Sequence, residues 1–470
     1  MGGFQTVRGT RDLLAEDAER QRFIIDTARK TAELYGYEEV ITPIVESYEL
    51  LNAKSGEEIR QRLFIIEDNG PVGHRKIVLR PEFTASIARL ATTTLRNNPK
   101  PWRIFSVGSV YRYDEPQRGR YREFWQSNFE LMGSNKPEAD AEIILLTNRL
   151  MRAVGLHKYE FKLGHVGILR AILSAEGIDE PTQNAILQRM DKKEYDAALE
   201  LIQNCRCRQI FQELINLRMC DPFMADPSLS VERIKTIVRS YEKASRETQN
   251  LSEILNLVKQ SGCRIKTVDP AFARGLEYYT GMIFEVYIPE LDIALGGGGR
   301  YDRLIEAFGG EPTPAVGVAH GLDRIALAKQ MQTSTLLFSK TGRRRRKKVL
   351  VIPRNEQLTA SALRISELLR KARISTEFEV MGRKIGRVFE YADKVKPDYL
   401  VLVGEMELKE GKVVVKKWTR TEPEGALPNQ MNKLELKVKI EEIPKTLRDM
   451  ERLKKKDMLF GASENKASRI

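Results

Sequence analysis

The sequence predicts an α+β protein, in which an antiparallel sheet with flanking helices is interrupted by a helical insertion and followed by a smaller α/β domain. Three observations predict it. Apolar residues alternate along short runs punctuated by Gly and Pro in residues 64–79, 110–131 and 264–310, a pattern of hairpins rather than of parallel crossovers. Residues 167–261 instead carry apolar positions at three-to-four spacing, as in 185–190 and 251–258. From residue 349 the pattern alternates β-α-β-α-β. At 470 residues the chain exceeds the size at which one core divides, so about three domains are expected.

In chain order, the pattern predicts a helix over 16–35, a strand over 39–43 that enters Pro43, a hairpin around 64–79 and a helix over 84–97. A second hairpin follows. Val110, Tyr111 and Tyr113 form its incoming strand, and Phe124, Trp125, Phe129 and Leu131 its outgoing one, with Gln126 and Glu130 on a single face. Pro116 and Gly119 mark the loop between them. The helix expected over 137–154 has Pro137 near its first turn and Asp140 and Glu142 close to its positive end. The domain boundaries are set at 1–166 and 262–335 for the two parts of the sheet domain, with a separate helical insertion domain at 167–261. A basic linker at 336–348, with six consecutive basic residues after Gly342, leads to the α/β domain at 349–447. Its alternation implies a parallel, mostly buried sheet. The Lys-rich tail at 448–470 is expected to fray.

Composition narrows the partners. A formal charge of +13 on an enzyme-sized chain suggests an anionic partner, of which nucleic acid is the commonest. There is no run of about 18 apolar residues and no charged-then-apolar leader over 1–20, so a soluble, cytoplasmic chain without a membrane span is expected. Cys205, Cys207, Cys220 and Cys263 are too few and too irregular for a disulfide framework. Cys205 and Cys207 also lack the two-residue spacer of a zinc knuckle, so plain thiols and no zinc are expected.

Chemistry concentrates in residues 110–133. Arg112, Arg118, Arg120 and Arg122 lie within eleven positions, and planar guanidinium groups grip phosphates bidentately. Gln126 and Glu130, two pleats apart, suit a small polar, partly cationic molecule. A solvated basic hairpin accounts for the same residues.

This segment, VYRYDEPQRGRYREFWQSNFELMG, resembles motif 2 of class II aminoacyl-tRNA synthetases, and YRYDEPQRGRYREFWQ resembles that of the histidyl-tRNA synthetases. ARGLEYYTGMIFEV at 273–286 and GGGGRYDRL at 296–304 resemble two segments peculiar to the histidine enzymes. GVAHGLDRIAL at 317–327 resembles motif 3, in which a strand of small residues delivers a helix bearing one arginine, here Arg324. YGYEEVITPIVESYELL at 35–51 resembles motif 1. These signatures occur in the family's order and cover most of the chain. The resemblance implies a class II synthetase antiparallel sheet and a C-terminal anticodon-binding domain. It also implies a homodimeric ligase that takes ATP with Mg2+, L-histidine and tRNA(His).

The resemblance assigns roles residue by residue. Arg112 would contact the α-phosphate and the amino-acid carboxylate, and Arg324 the far end of the triphosphate. Arg274 would take a place that other class II enzymes give to a metal ion. Neither GxxxxGK[ST] nor a strand-bound GxGxxG occurs, so arginine clamps remain for the phosphates. Arg118 and Arg120 would meet the tRNA acceptor end, with Arg120 also near ATP. The glycines at 296–299, Gly298 among them, would by the resemblance admit adenosine to the backbone, although on the residues alone a bulged strand is the favoured account. Glu130 and Tyr279 match the imidazole contacts, and Glu82, Thr84 and Gln126 the group around the ammonium. Phe83, Tyr278 and Tyr301 complete the expected histidine pocket, which Arg112 and Arg274 also border. A pocket that pairs each imidazole nitrogen rejects isosteres far better than an apolar slot.

Three positions depart from the family's commoner pattern. Arg112-Tyr113-Asp114 stands where many members read Arg-His-Glu, Glu277 replaces an Asp, and Phe83 replaces a smaller residue of bacterial members. The first two resemble archaeal-type variants. Two rivals share the fold: the histidine-sensing regulatory subunit of ATP phosphoribosyltransferase and an RNA-binding sensor. Both would be expected to lose the ATP arginines, which this chain keeps.

Overall fold

The computed structural model describes residues 4–54, 57–68, 75–203, 205–219, 227–291, 293–332, 348–418 and 435–450. The chain divides into two compact units, Met1–Gly342 and Arg343–Ile470. The basic run at 343–347 and the tail beyond 450 lie outside the described residues.

The first unit is built on an eight-stranded sheet. Its strands are β1 (Glu38–Glu39), β5 (Trp102–Tyr111), β6 (Glu123–Met132), β7 (Glu160–His165), β8 (Thr267–Val268), β9 (Met282–Tyr287), β10 (Gly296–Arg300) and β11 (Ala315–Gly321). They are ordered β1-β5-β6-β11-β10-β9-β7-β8. Pairing is antiparallel except at the two edges, where β1 runs parallel to β5 and β8 to β7. A three-stranded sheet of β2 (Val45–Ser47), β3 (Phe64–Asp68) and β4 (Arg75–Leu79) adjoins it in sequence. Phe105, Phe129, Phe161 and Phe284 are almost wholly buried along the large sheet. Truncating one such ring to Ala costs about 3–5 kcal/mol.

The helix Pro137–Ala153 forms as its ends dictate, with Pro at the first turn, Glu138 and Asp140 near the positive end and Arg152 near the negative one. Asp140 serves a second purpose. Its buried carboxylate accepts hydrogen bonds from Arg300 at 2.7 and 3.0 Å, tying this helix to the end of β10.

The structure departs from the sequence expectations at four places. The strand expected over 39–43 is reduced to β1, because Arg80 Nη1 donates to the carbonyls of Thr42 and Pro43 at 2.7 and 3.3 Å and takes the acceptors a neighbouring strand would use. The helix expected to reach residue 97 spans Thr84–Thr92. There the hydroxyls of Thr92 and Thr93 both donate to the Arg89 carbonyl, competing with the helical backbone. The helices between Val166 and Gln260 share one apolar cluster with the large sheet, so that stretch is part of the first unit rather than a separate body.

The fourth departure is in the second unit. Its sheet, ordered β13-β12-β14-β15-β16, comprises β12 (Lys348–Pro353), β13 (Ser375–Phe378), β14 (Tyr399–Val403), β15 (Lys412–Lys417) and β16 (Glu435–Lys439). The first three are parallel, but β15 and β16 pair antiparallel. Residues 404–411 are fewer than the dozen or so that a parallel crossover needs, so β15 turns back. Two apolar clusters cover the opposite faces of this sheet. Among the described residues no helix is long and apolar enough to cross a membrane.

Candidate active site

Strands β6, β9, β10 and β11, together with residues 274–276, 278–279, 291 and 293–295, Glu82 and Thr84, enclose a cavity of about 600 Å3. Strand alternation decides which side chains enter it. Gln126 and Glu130 on β6 face the cavity, as their spacing predicts. Two glycines make room for charged neighbours. A Cβ at Gly317, opposite Glu130 in the ladder, would overlap the Glu130 carboxylate, and one at Gly297 would overlap the Arg274 guanidinium.

Glu130 is wholly buried. Its Oε1 accepts from Thr84 Oγ1 at 2.8 Å and from Asn128 Nδ2 at 2.6 Å, and its Oε2 accepts from the Tyr301 hydroxyl. Burial pushes its pKa up to about 7 against those three donors, and Glu82 adds a like charge. Burial also raises Glu82, opposed by the charges of Arg112 and Arg274 and by the Tyr278 hydroxyl. Burial drives the Tyr279 phenol to about 12 and raises Tyr278 and Tyr301 well above the ordinary phenol range, so all three stay protonated donors at neutral pH.

The arginines form a second group. Arg324 donates to the carbonyls of Gly119 at 3.1 Å and Ala294 at 2.9 Å, and Arg112 Nε donates to Pro81 O at 2.9 Å. Burial lowers Arg324 to about 10, and its neighbours Arg112 and Arg120 push in the same direction. Crowded cations of this kind favour an anion between them. Burial is the largest influence on Arg274 and works against its charge, but Glu285, in a 2.9 Å ion pair with it, acts with Tyr279, Asp191 and Tyr278 to leave its pKa raised. Arg112 and Arg274 line the same cavity as Glu82, Glu130 and Arg324 and act electrostatically on both Glu82 and Arg324.

The cavity thus unites Glu82, Thr84, Arg112, Arg120, Gln126, Glu130, Arg274, Tyr278, Tyr279, Tyr301 and Arg324. Arg120 Nε and Gln126 Oε1 are buried there without a protein partner. Three expected residues lie elsewhere. Phe83 is buried beneath the Arg80 guanidinium, 4.3 Å from its ring centre. Gly298 does not line the cavity and packs against Gly317 and Val318 of β11, within a regular strand rather than a bulge. Arg118 is exposed in the loop outside the cavity.

Sequence reasoning missed Glu285, Gly317 and Asn128. No signal within β9 alone exposes Glu285, because its place opposite Gly297 depends on the register between strands. His165 and His320 are buried and neutral, lowered by burial to about 4 and about 3, with His320 held between Ser127 and Thr147. Cys207 and Cys263 are buried, whereas Cys220 lies outside the described residues.

An antiparallel sheet that carries arginines from motif 2 and motif 3 and no glycine phosphate loop defines a class II aminoacyl-tRNA synthetase. Comparisons with known proteins agree. The family profile "Histidyl-tRNA synthetase" matches residues 9–325, and the profile "Anticodon binding domain" matches 348–450. The histidine–tRNA ligase of Methanocaldococcus jannaschii is 38% identical over 88% of this chain and 95% of its own. That of Sulfolobus acidocaldarius is 37% identical over 88% and 94%. The crystal structure of histidyl-tRNA synthetase from a Nostoc species superposes with a TM-score of 0.72 at 19% identity, covering 96% of this chain and 100% of that one, which speaks to the fold. The chain belongs to the histidyl-tRNA synthetase family, the histidine–tRNA ligases.

Proposed function

We propose that the chain activates L-histidine with ATP to histidyl-adenylate and pyrophosphate, then transfers the histidyl group to the 3' end of tRNA(His). The observation that carries this is a single cavity in which Arg112, Arg274 and Arg324 line the same space as the carboxylates of Glu82 and Glu130. The amino acid's carboxylate attacks the α-phosphorus, and the bond to pyrophosphate breaks. Arg112 and Arg274 stabilise the charge at that centre, while Arg324 holds the departing pyrophosphate. Glu82 and the unpartnered Gln126 oxygen receive the ammonium, and Glu130 and Tyr279 receive the imidazole. In the second step a ribose hydroxyl attacks the mixed anhydride and AMP leaves.

Magnesium enters as part of the nucleotide substrate, held chiefly by phosphate oxygens. The acceptor end of the tRNA would meet Arg118 and Arg120, and the anticodon the α/β domain at 349–447. Exposed apolar side chains at Ile41, Ile44, Val45, Ile65 and Ile66 on the single chain support a homodimer. The cytoplasm is the expected compartment of such an enzyme. ATP–pyrophosphate exchange measured with each amino acid in turn tests the reading. Exchange should depend on histidine and magnesium, and equal exchange with other amino acids would overturn it.

A further inference from the structure

Alternation places three side chains of β6 on one face: Gln126, Asn128 and Glu130. The proposed activity uses the outer two and leaves Asn128 without a role. Asn128 does not line the cavity and is wholly buried. Its Nδ2 donates to Glu130 Oε1 at 2.6 Å and to Thr84 Oγ1 at 2.9 Å, while the Thr84 hydroxyl donates to the same Oε1 at 2.8 Å. These bonds close a triangle behind the carboxylate, and the Asn128 Oδ1 is left without a partner. The opposite orientation of the amide would set that oxygen against Glu130, so its donor edge is fixed by charge.

The chemistry of the triangle is selective. The groups that favour the ionised form of Glu130 are the neutral donors Tyr301, Thr84 and Asn128, and the groups opposing it are burial and Glu82. Tyr278, Tyr279 and Tyr37, from the neighbouring elements, also feel the charge of this carboxylate. A Lys or Arg in place of Asn128 would hold Glu130 ionised but would cancel its charge and repel a cationic ligand edge. An apolar residue would leave Glu130 largely protonated near neutrality. A buried amide does neither, and leaves the full negative charge to the ligand.

We propose that Asn128 is a positioning residue for amino-acid selection, which fixes Thr84 as a donor and holds Glu130 as an oriented carboxylate facing the N–H of an imidazole. This deepens the functional reading above and rests on it. The test uses the full chain and Asn128→Leu, which keeps the branched outline of the side chain and removes both donors, with Asn128→Ala as a second variant should the first fold poorly. Histidine-dependent pyrophosphate exchange is followed between pH 6 and 9, with separate KM values for histidine and ATP. The KM for histidine should rise about tenfold near pH 7. The acid limb of kcat/KM for histidine should move up by roughly one pH unit, with the KM for ATP nearly unchanged. A merely structural asparagine would change both KM values and kcat together and leave the limb in place, which overturns the proposal. So would an unchanged histidine KM in a folded variant. Absence of histidine-dependent exchange in the unmodified chain would instead remove the reading of the site, and the proposal with it.

Discussion

Arg274 is the residue whose removal separates chemistry from folding most cleanly. Half-buried and paired with Glu285, it offers a charge to a reacting phosphate without holding the sheet together. Arg274→Ala should leave the protein folded and slow histidine-dependent pyrophosphate exchange roughly 10²-fold, the usual effect of losing one charge-stabilising donor. Unchanged exchange in the folded variant would remove Arg274 from the mechanism. Glu130 behaves differently, because binding and stability pull on it in opposite directions. Its folded pKa, about 7, is raised by burial above its value of 4.5 in the unfolded chain. The stability it contributes is therefore complete below pH 4.5 and is lost as pH rises through 7, a swing of roughly 3 kcal/mol. Histidine binding needs the ionised form and should weaken as pH falls below 7. Glu130→Gln should thus raise the melting temperature of the ligand-free protein at pH 8 while weakening histidine at least about tenfold, with ATP binding almost unaffected. Calorimetry showing equal losses for both ligands would make Glu130 structural. Both residues were legible in the sequence, since each sits in a segment whose residue order is itself distinctive. Asn128 was not, because its role depends on the Thr84 hydroxyl, brought to it from another segment.

At the scale of elements, β10 and β11 show where reading by alternation succeeds and where it stops. The small-residue runs at 296–299 and 317–321 were legible as unusual strands, but which glycine faces the cavity depends on register with neighbours, which a single strand does not encode. Hence Gly298 was expected at the nucleotide, whereas Gly297 and Gly317 are the glycines that clear space for Arg274 and Glu130. Gly317→Ala should push the Glu130 carboxylate off its three donors and raise the KM for histidine by about tenfold or more, within the 1–3 kcal/mol typical of overpacking. Gly309→Ala, at a left-handed backbone position where nothing approaches the added Cβ, should cost stability but leave the histidine KM alone. If both substitutions raised that KM equally, close approach at Gly317 would not be the reason the strand is glycine there. Element ends were the least legible feature for a similar reason. The 39–43 strand and the 84–97 helix were both shortened by side-chain hydrogen bonds that compete with the backbone, from Arg80 in one case and from Thr92 and Thr93 in the other.

For the whole molecule, periodicity places a boundary in the linker at 336–348, because the β-α-β-α-β alternation begins immediately beyond it. It could not show that the helices between Val166 and Gln260 belong to the first unit, since a helix's apolar stripe does not say which surface it covers. Two cores joined through residues 333–347 give a concrete expectation for RNA. A free tRNA presents phosphates along its whole length, and contacts to its acceptor end and its anticodon should be separable. The site residues all precede Phe338, so a chain ending there should still form histidyl-adenylate. It lacks the basic run at 343–348 and the α/β domain, so it should charge tRNA poorly. Each phosphate contact released adds to the slope of log affinity against log salt, so tRNA binding by the shortened chain should also depend less steeply on salt. The deficit should appear in transfer, with pyrophosphate exchange close to that of the full chain. Unchanged charging efficiency together with an unchanged salt slope would show that the second unit and the basic run make no contact with the tRNA.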